Sequence, residues 1–298
     1  VSAWKGQSRG NVLGYKIFVA LLRYGGVYPA YFILLFVALY FFCFAPSSFR
    51  HIYQLYRQRL EYGILRSLFA VYRNYFVFGQ VILDKTATLG GLGTKFTFDF
   101  DGENHLRDMV ANGTGCLLIS AHIGNFEMAG HMLERLQTPV NVLMLDAEHQ
   151  SIKKYLSSVT HRSFRIIPIR GDNAHVFEIK EVLENREVLC MHGDRFVPGS
   201  KYHVTGFLGK PACFPTGPFY LAMKYSIPVS FVFAMKEGAR HYHFYATPPK
   251  HYAQQSTLSG RDEQLGRIIR DYTEEMENKL KKYPYQWFNY YDFWSKPA

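Results

Sequence analysis

Residues 27–45 read VYPAYFILLFVALYFFCFA, nineteen residues without a charge. At helical rise that run is about 28 Å long, close to the roughly 30 Å hydrocarbon core of a bilayer. Such a run must be covered by lipid or by protein. Twenty-six residues precede it and no small-residue cleavage site follows, which makes it a poor signal peptide. The segment before it, NVLGYKIFVALLRYGG, is apolar apart from Lys16 and Arg23. Those two lie seven apart, on one helical face, where both can snorkel. The glycine pair at 25–26 then breaks the helix. A single transmembrane helix and a helical hairpin dipping into one leaflet both fit, and a buried core hairpin is the alternative. Positive charge on both flanks leaves orientation open and slightly favours the hairpin.

The charge distribution supports a membrane. Net charge is +10, yet residues 1–66 hold eight Lys and Arg against the single acid Glu61. Basic segments attract anionic lipid headgroups or nucleic acid. Nucleic-acid surfaces interleave basic and aromatic residues on a polar face, and an uncharged aromatic run is the wrong material, so nucleic acid is not expected as a partner. Aromatics at 17% and charged residues at 19% also suit a protein that meets lipid. Cys43, Cys116, Cys190 and Cys213 form no CxxC and sit in apolar surroundings, which predicts buried, reduced thiols.

Residues 47–80 read as helical, and DKTATLGGLGTKF (84–96) as a loop and a domain boundary. From residue 95 the texture changes. KFTFDF alternates strictly, as a half-buried strand does. CLLIS, VNVLML, FRIIPI, EVLCMH and IPVSFVFAM are short apolar strands. Helices are expected between them near 103–113, 125–137, 148–158, 172–186 and 216–225. HYHFYA pairs with IPVSFVFAM across KEGAR, residues 193–214 form a long loop, and a helix covers 261–282. The fold class is α/β, a mainly parallel mixed sheet flanked by helices behind an N-terminal helical membrane anchor.

In such sheets ligands bind beyond the carboxyl ends of the strands, and CLLISAHIGNFE places His122 at one. Gly124 permits a tight turn, Asn125 is a good N-cap, and Glu127 falls in the first helical turn. There the helix dipole favours an ionised carboxylate. A carboxylate folded against an imidazole sets its tautomer and stabilises its protonated form. His122 could then deprotonate a hydroxyl, with the helix N-terminus beside it to hold an oxyanion.

HIGNFE is a histidine, four residues and an acid, the motif shared by glycerolipid acyltransferases. FTFDFDGENHLRDMVANGTGCLLISAHIGNFEMAG, VLCMHGDRF, FLGKPACFPTGPFYLAMKYSIPVSFVF and YPYQWFNYYDFW together resemble the bacterial lipid A biosynthesis lauroyl/myristoyl acyltransferases, over roughly 95–294. The resemblance implies an acyltransferase domain at 86–298 behind an anchoring region at 1–85. It also implies a place at the bacterial inner membrane, with the domain facing the cytoplasm. By resemblance His122 is the general base, Glu127 its acidic partner, and no metal or other cofactor is used. The donor is an acyl thioester of acyl carrier protein or coenzyme A, and the acceptor a lipid hydroxyl, foremost on a lipid A precursor. Asn125, Arg170, Asp194 and Arg195 are the candidate substrate-binding residues. Arginine suits phosphate or carboxylate through its fork of donors. PTGP (215–218) should shape the helix that follows and the acyl groove.

The tail departs from the best-known lipid A enzymes, whose tails are basic. WFNYYDFW is aromatic and nearly neutral, which suggests an acceptor with fewer phosphates, such as a lysophospholipid or an acylated amino-acid lipid. A non-catalytic membrane adaptor is the reading from another class, and the intact His122 and Glu127 argue against it. His241 and His243 face one side of a strand without a third ligand at metal spacing. GxSxG is absent, which disfavours a serine hydrolase. Oligomeric state is not legible.

Overall fold

The protein is described by a computed structural model covering residues 12–92, 95–144, 164–169, 174–196 and 199–296. Its centre is a seven-stranded sheet. The strands are β1 (Thr97–Asp101), β2 (Cys116–Ser120), β3 (Val140–Met144), β4 (Arg165–Pro168), β5 (Val188–His192), β8 (Val229–Lys236) and β9 (His241–Ala246). They are ordered β1-β9-β8-β2-β5-β3-β4. Only β8 and β9 pair antiparallel, through the expected KEGAR turn; every other neighbouring pair is parallel. β2 is buried along its whole length, as an apolar strand covered on both faces must be. β1, at the sheet edge, keeps the alternating pattern read from KFTFDF. Helices α5 (Glu103–Ala111), α6 (Phe126–Met132), α7 (Ala174–Glu184), α8 (Gly217–Tyr225) and α9 (Leu258–Lys282) complete the α/β unit. The helix expected at 148–158 lies outside the described residues.

Two expectations are corrected. Residues 202–215 are not loop but a hairpin, β6 (Tyr202–Phe207) with β7 (Lys210–Pro215). The loop expected from residue 84 starts later, because helix α4 runs Ile64–Leu89 without a break. It therefore passes through residue 85, where the sequence places a boundary. One buried cluster also joins Leu22, Leu34 and Tyr56 of the N-terminal helices to Ile119 and Trp287.

Helix α1 (Val12–Gly25) and helix α2 (Val27–Phe44) are separated by Gly26 alone, and the short α3 (Pro46–Gln54) follows. All three pack on α4. Val27, Ala30, Tyr31, Leu34 and Ala38 form the inner stripe of α2, at the spacing of one helical face. Closeness to α4 explains Gly79, where a Cβ would lie 2.4 Å from Leu34 Cδ1. The outer face presents Tyr28, Phe32, Phe36, Leu39, Tyr40 and Phe44 to the surroundings. α2 is the one described helix long and apolar enough to cross a membrane. Cys43 is exposed on it, against the expectation of four buried thiols; Cys116 and Cys213 are buried and Cys190 partly so, and all four are free.

A buried ion pair ties these helices to the sheet. Asp84 of α4 has no exposed surface and meets Lys236 Nζ of β8 at 2.6 Å. The hydroxyls of Tyr31 and Tyr242 also donate to its two oxygens, and Lys236 Nζ donates to Ala239 O at 2.9 Å. Burial pushes Asp84 up and Lys236 down, and their mutual attraction opposes both shifts. Removing one partner strands the other in an apolar core. Asp84→Asn and Lys236→Met should each lower stability by about 3–5 kcal/mol, and the double variant Asp84→Leu/Lys236→Met by clearly less than the sum. Denaturation of the detergent-solubilised protein checks this; a loss below about 1 kcal/mol for either single variant would contradict it.

Candidate active site

Beyond Ser120 the chain leaves β2 and turns into α6. Gly124 makes the turn possible: its φ is 67°, and a Cβ would lie 2.1 Å from Ala234 O. Asn125 N donates to Ala234 O at 2.7 Å, and Gly124 N to Gln286 O at 2.9 Å. Asn125 caps α6, accepting from Met128 N through Oδ1, while its Nδ2 donates to Val81 O and Tyr242 Oη, all at 3.3 Å. Its side chain is buried among protein partners, so the residue expected to touch substrate is an anchor of the turn.

His122 stands on that turn, and Asp194, just past the end of β5, holds it. Asp194 Oδ2 accepts from the His122 backbone N–H, and Oδ1 lies against the ring Nδ1, each at 2.9 Å. Asn289 Nδ2 donates to Oδ2 at 2.9 Å. Asp194 has no exposed surface. It sits behind the imidazole, as the partner of its ring nitrogen. Burial pushes its carboxyl up, but the His122 ring, the hydrogen bond to it and the Arg195 guanidinium pull it further down, so it stays ionised. His122 is shifted down by burial and by Arg195, with Asp194 and Glu127 opposing. The ring is therefore neutral at rest, and the resting hold on Asp194 comes from hydrogen bonds and Arg195. An ionised carboxylate only accepts, so Nδ1 must carry the proton and Nε2 is the basic nitrogen.

Arg195 also serves this scaffold: Nε donates to Asn289 Oδ1 at 2.7 Å and an Nη to Phe288 O at 3.0 Å. Phe288 N in turn donates to His122 O at 3.0 Å, and Tyr291 Oη to Asp194 O at 3.2 Å. Residues 286–291 thus wrap the turn. Glu127 pairs with Lys85 Nζ of α4 at 2.5 Å. The Nδ1 partner of His122 is Asp194, and Glu127 contributes its charge. Arg170 lies outside the described residues.

Three contributors were not singled out in the sequence. Asn289 had a signal: with Gln286 it is an amide within an aromatic run, and buried amides need partners. Lys85 was masked by reading 84–96 as loop. His192 ends β5 beside Ser120 of β2, so the strand-end rule that selected His122 also selects it. Its ring lies against His122 with centroids 4.4 Å apart, and Phe126 packs edge-on at 4.5 Å.

Pro218 lies in the first turn of α8, and Thr216 O accepts from Tyr220 N at 2.8 Å, so PTGP does start that helix. His241 pairs with Asp99, and His243 with Asp101 and Glu237. No group of three metal-ligating side chains occurs among the described residues. A small apolar cleft, lined by Phe100, Leu106, Ala129, Leu133 and Phe244 among others, flanks α6 without surface from His122. Trp287, Phe288 and Phe293 of the aromatic tail are buried, so packing accounts for part of its apolar composition.

The chain is similar to several known proteins. Phosphatidylinositol mannoside acyltransferase of Mycobacterium tuberculosis is 30% identical over 128 residues, 41% of this chain and 39% of that protein. The protein of the same name from Mycolicibacterium smegmatis is 26% identical over 123 residues, 41% of this chain and 40% of its own. The matched region thus spans about two fifths of these relatives. The crystal structure of the 1-acyl-sn-glycerophosphate acyltransferase PlsC from Thermotoga maritima aligns with 88% of this chain and 99% of its own, at 13% identity and a TM-score of 0.34. The family described as bacterial lipid A biosynthesis acyltransferase matches residues 82–295, from the end of α4 through the segment that wraps His122, and the chain belongs to that family.

Proposed function

We propose that the chain transfers a fatty acyl group from a thioester to a hydroxyl of a membrane lipid, with His122 as general base. The observation that carries this reading is the imidazole whose Nδ1 is held at 2.9 Å by a buried, ionised Asp194. That contact fixes the tautomer, leaves Nε2 as the proton acceptor, and stabilises the imidazolium once it forms. The acceptor oxygen attacks the thioester carbon, the C–S bond breaks, and the imidazolium returns the proton to the leaving thiolate. Acyl carrier protein is the proposed donor, and the basic N-terminal region suits an acidic protein; a coenzyme A thioester is the alternative. The family's description supports a lipid A precursor as acceptor. The names of the mycobacterial relatives put mannosylated phosphatidylinositol beside it. Lipid mass spectrometry of cells with and without the gene separates them: an acyl chain lost from lipid A supports the first, one lost only from another lipid supports that lipid.

The proposed membrane contact is the outer face of α1 and α2, lying in one leaflet of the bacterial inner membrane from the cytoplasmic side. If α2 left the protein to span the bilayer, it would expose the Asp84–Lys236 pair that Tyr31 helps to cover. Lys16 and Arg23 are placed to meet anionic headgroups. Phe36→Asp with Tyr40→Asp should abolish co-sedimentation with phosphatidylglycerol-containing vesicles; undiminished binding would remove this face from the contact.

His122→Ala should lower turnover by about 10³-fold or more while the protein still folds, and Asp194→Asn by about 10³–10⁴-fold through the wrong tautomer. Glu127→Gln should cost less than Asp194→Asn, because Glu127 does not hold Nδ1. The reverse order in steady-state kinetics would return the partner role to Glu127. The base acts when neutral, and its pKa lies below the usual 6.5 or so. Rates should therefore stay flat as pH falls to that value and decline only below it. An acid limb above pH 7 would contradict the assignment.

A further inference from the structure

We propose that His192 is a second catalytic group of this site, donating a ring N–H to the oxygen that becomes anionic when the acyl thioester is attacked. The inference rests on the acyl-transfer reading above and adds the residue that stabilises its transition state. Strand geometry supplies the first support. Ser120 and His192 are paired in register on the parallel strands β2 and β5. The backbone continues two residues from Ser120 to His122, so both imidazoles leave the carboxyl edge of the sheet together, with ring centroids 4.4 Å apart.

Hydrogen bonding supplies the second. Asp194 holds His122, but no hydrogen bond from either ring nitrogen of His192 is found in the described structure. Neither nitrogen is a fully buried orphan, and the ring is only partly covered. A half-buried polar ring with accessible, uncommitted nitrogens beside a general base is placed to bind something absent from the protein itself. Phe126, edge-on at 4.5 Å and 83°, limits how far the ring can swing.

Protonation agrees with a donor role. Burial, then the neighbouring His122 and Arg195, hold His192 well below the usual imidazole range, with Asp194 opposing. A neutral imidazole keeps one N–H to donate, and its stronger downward shift leaves His122 the better proton acceptor. The proton balance is closed. The hydroxyl proton passes to His122 Nε2, and the carbonyl electron pair moves onto oxygen, where it accepts the His192 hydrogen bond without proton transfer. On collapse the C–S bond breaks and His122 protonates the thiolate.

The test compares wild type, His122→Ala, His192→Phe and His192→Gln, each as the full chain in detergent. Dodecanoyl-acyl carrier protein is the donor and a lipid extract the acceptor; labelled product and released thiol are both measured. His192→Phe should lower kcat by about 10²–10³-fold with KM within about threefold, as for loss of one oxyanion donor. His192→Gln, which restores a neutral N–H, should regain about tenfold over Phe and keep the wild-type acid limb, since that limb belongs to His122. A His192→Phe enzyme with kcat within about threefold of wild type, or Gln no better than Phe, overturns the proposal. Should the Phe variant lose its melting transition, His192→Ala takes its place in the comparison with His192→Gln, and the same two outcomes decide. Absence of His122-dependent transfer by the wild-type chain would overturn the parent reading and this proposal with it.

Discussion

The site depends on one buried carboxylate. Taking Asp194 out of water costs several kcal/mol unless donors surround it. Here the donors are the His122 backbone N–H, the His122 ring and the Asn289 amide. Arg195 supplies the compensating positive charge and must itself be satisfied, by Asn289 Oδ1 and the Phe288 carbonyl. Each requirement recruits the next. The segment around residue 289 therefore cannot shift without orphaning a buried charge, and His122 cannot tilt without losing two bonds to one carboxylate. An imidazole held in this way needs no reorganisation to accept a proton.

What the sequence shows and hides follows from the range of the forces involved. The parallel strands and most helices are legible because burial on both faces, or on one, writes a local pattern into a few residues. The hairpin is hidden for identifiable reasons. Its two-residue turn places Leu208 at φ 48° and Gly209 at φ 74°, where Asn-Gly is the usual signal. Pro211 and Pro215 also argue against a strand. The last turns of α4 are hidden because tertiary burial, not propensity, holds them: Asp84, Thr86, Ala87 and Leu89 are all covered. At the site His122 is legible as a strand-end histidine. Its hydrogen-bond partner is not, since Asp194 lies 72 residues further on while Glu127 lies five away and draws the eye.

The apolar N-terminal run belongs to the same structure as the site. Its inner stripe ends in a polar contact, the Tyr31 hydroxyl on Asp84. Asp84 also accepts from Tyr242, and Tyr242 from Asn125, the cap of the turn that carries His122. Four groups thus run from a lipid-like helix to the residue three beyond His122. Spatial continuity alone is not evidence of energetic coupling. It does explain why the region cannot be treated as a detachable tether: a plain anchor has no use for a tyrosine that completes a buried ion pair.

The turn carrying His122 is consequently gripped from two independent directions. Asn125 fixes it from the side of the N-terminal helices, and Asp194 with residues 286–289 fixes it from the side of the C-terminal segment. A position determined twice does not depend on the exposed surfaces around it. The aromatic tail illustrates the division. Its inward residues, Gln286, Trp287 and Asn289, are buried structural members, and their identity is set by the turn they hold. The composition of the tail as a whole therefore reflects the packing of that turn as well as its exposed surface.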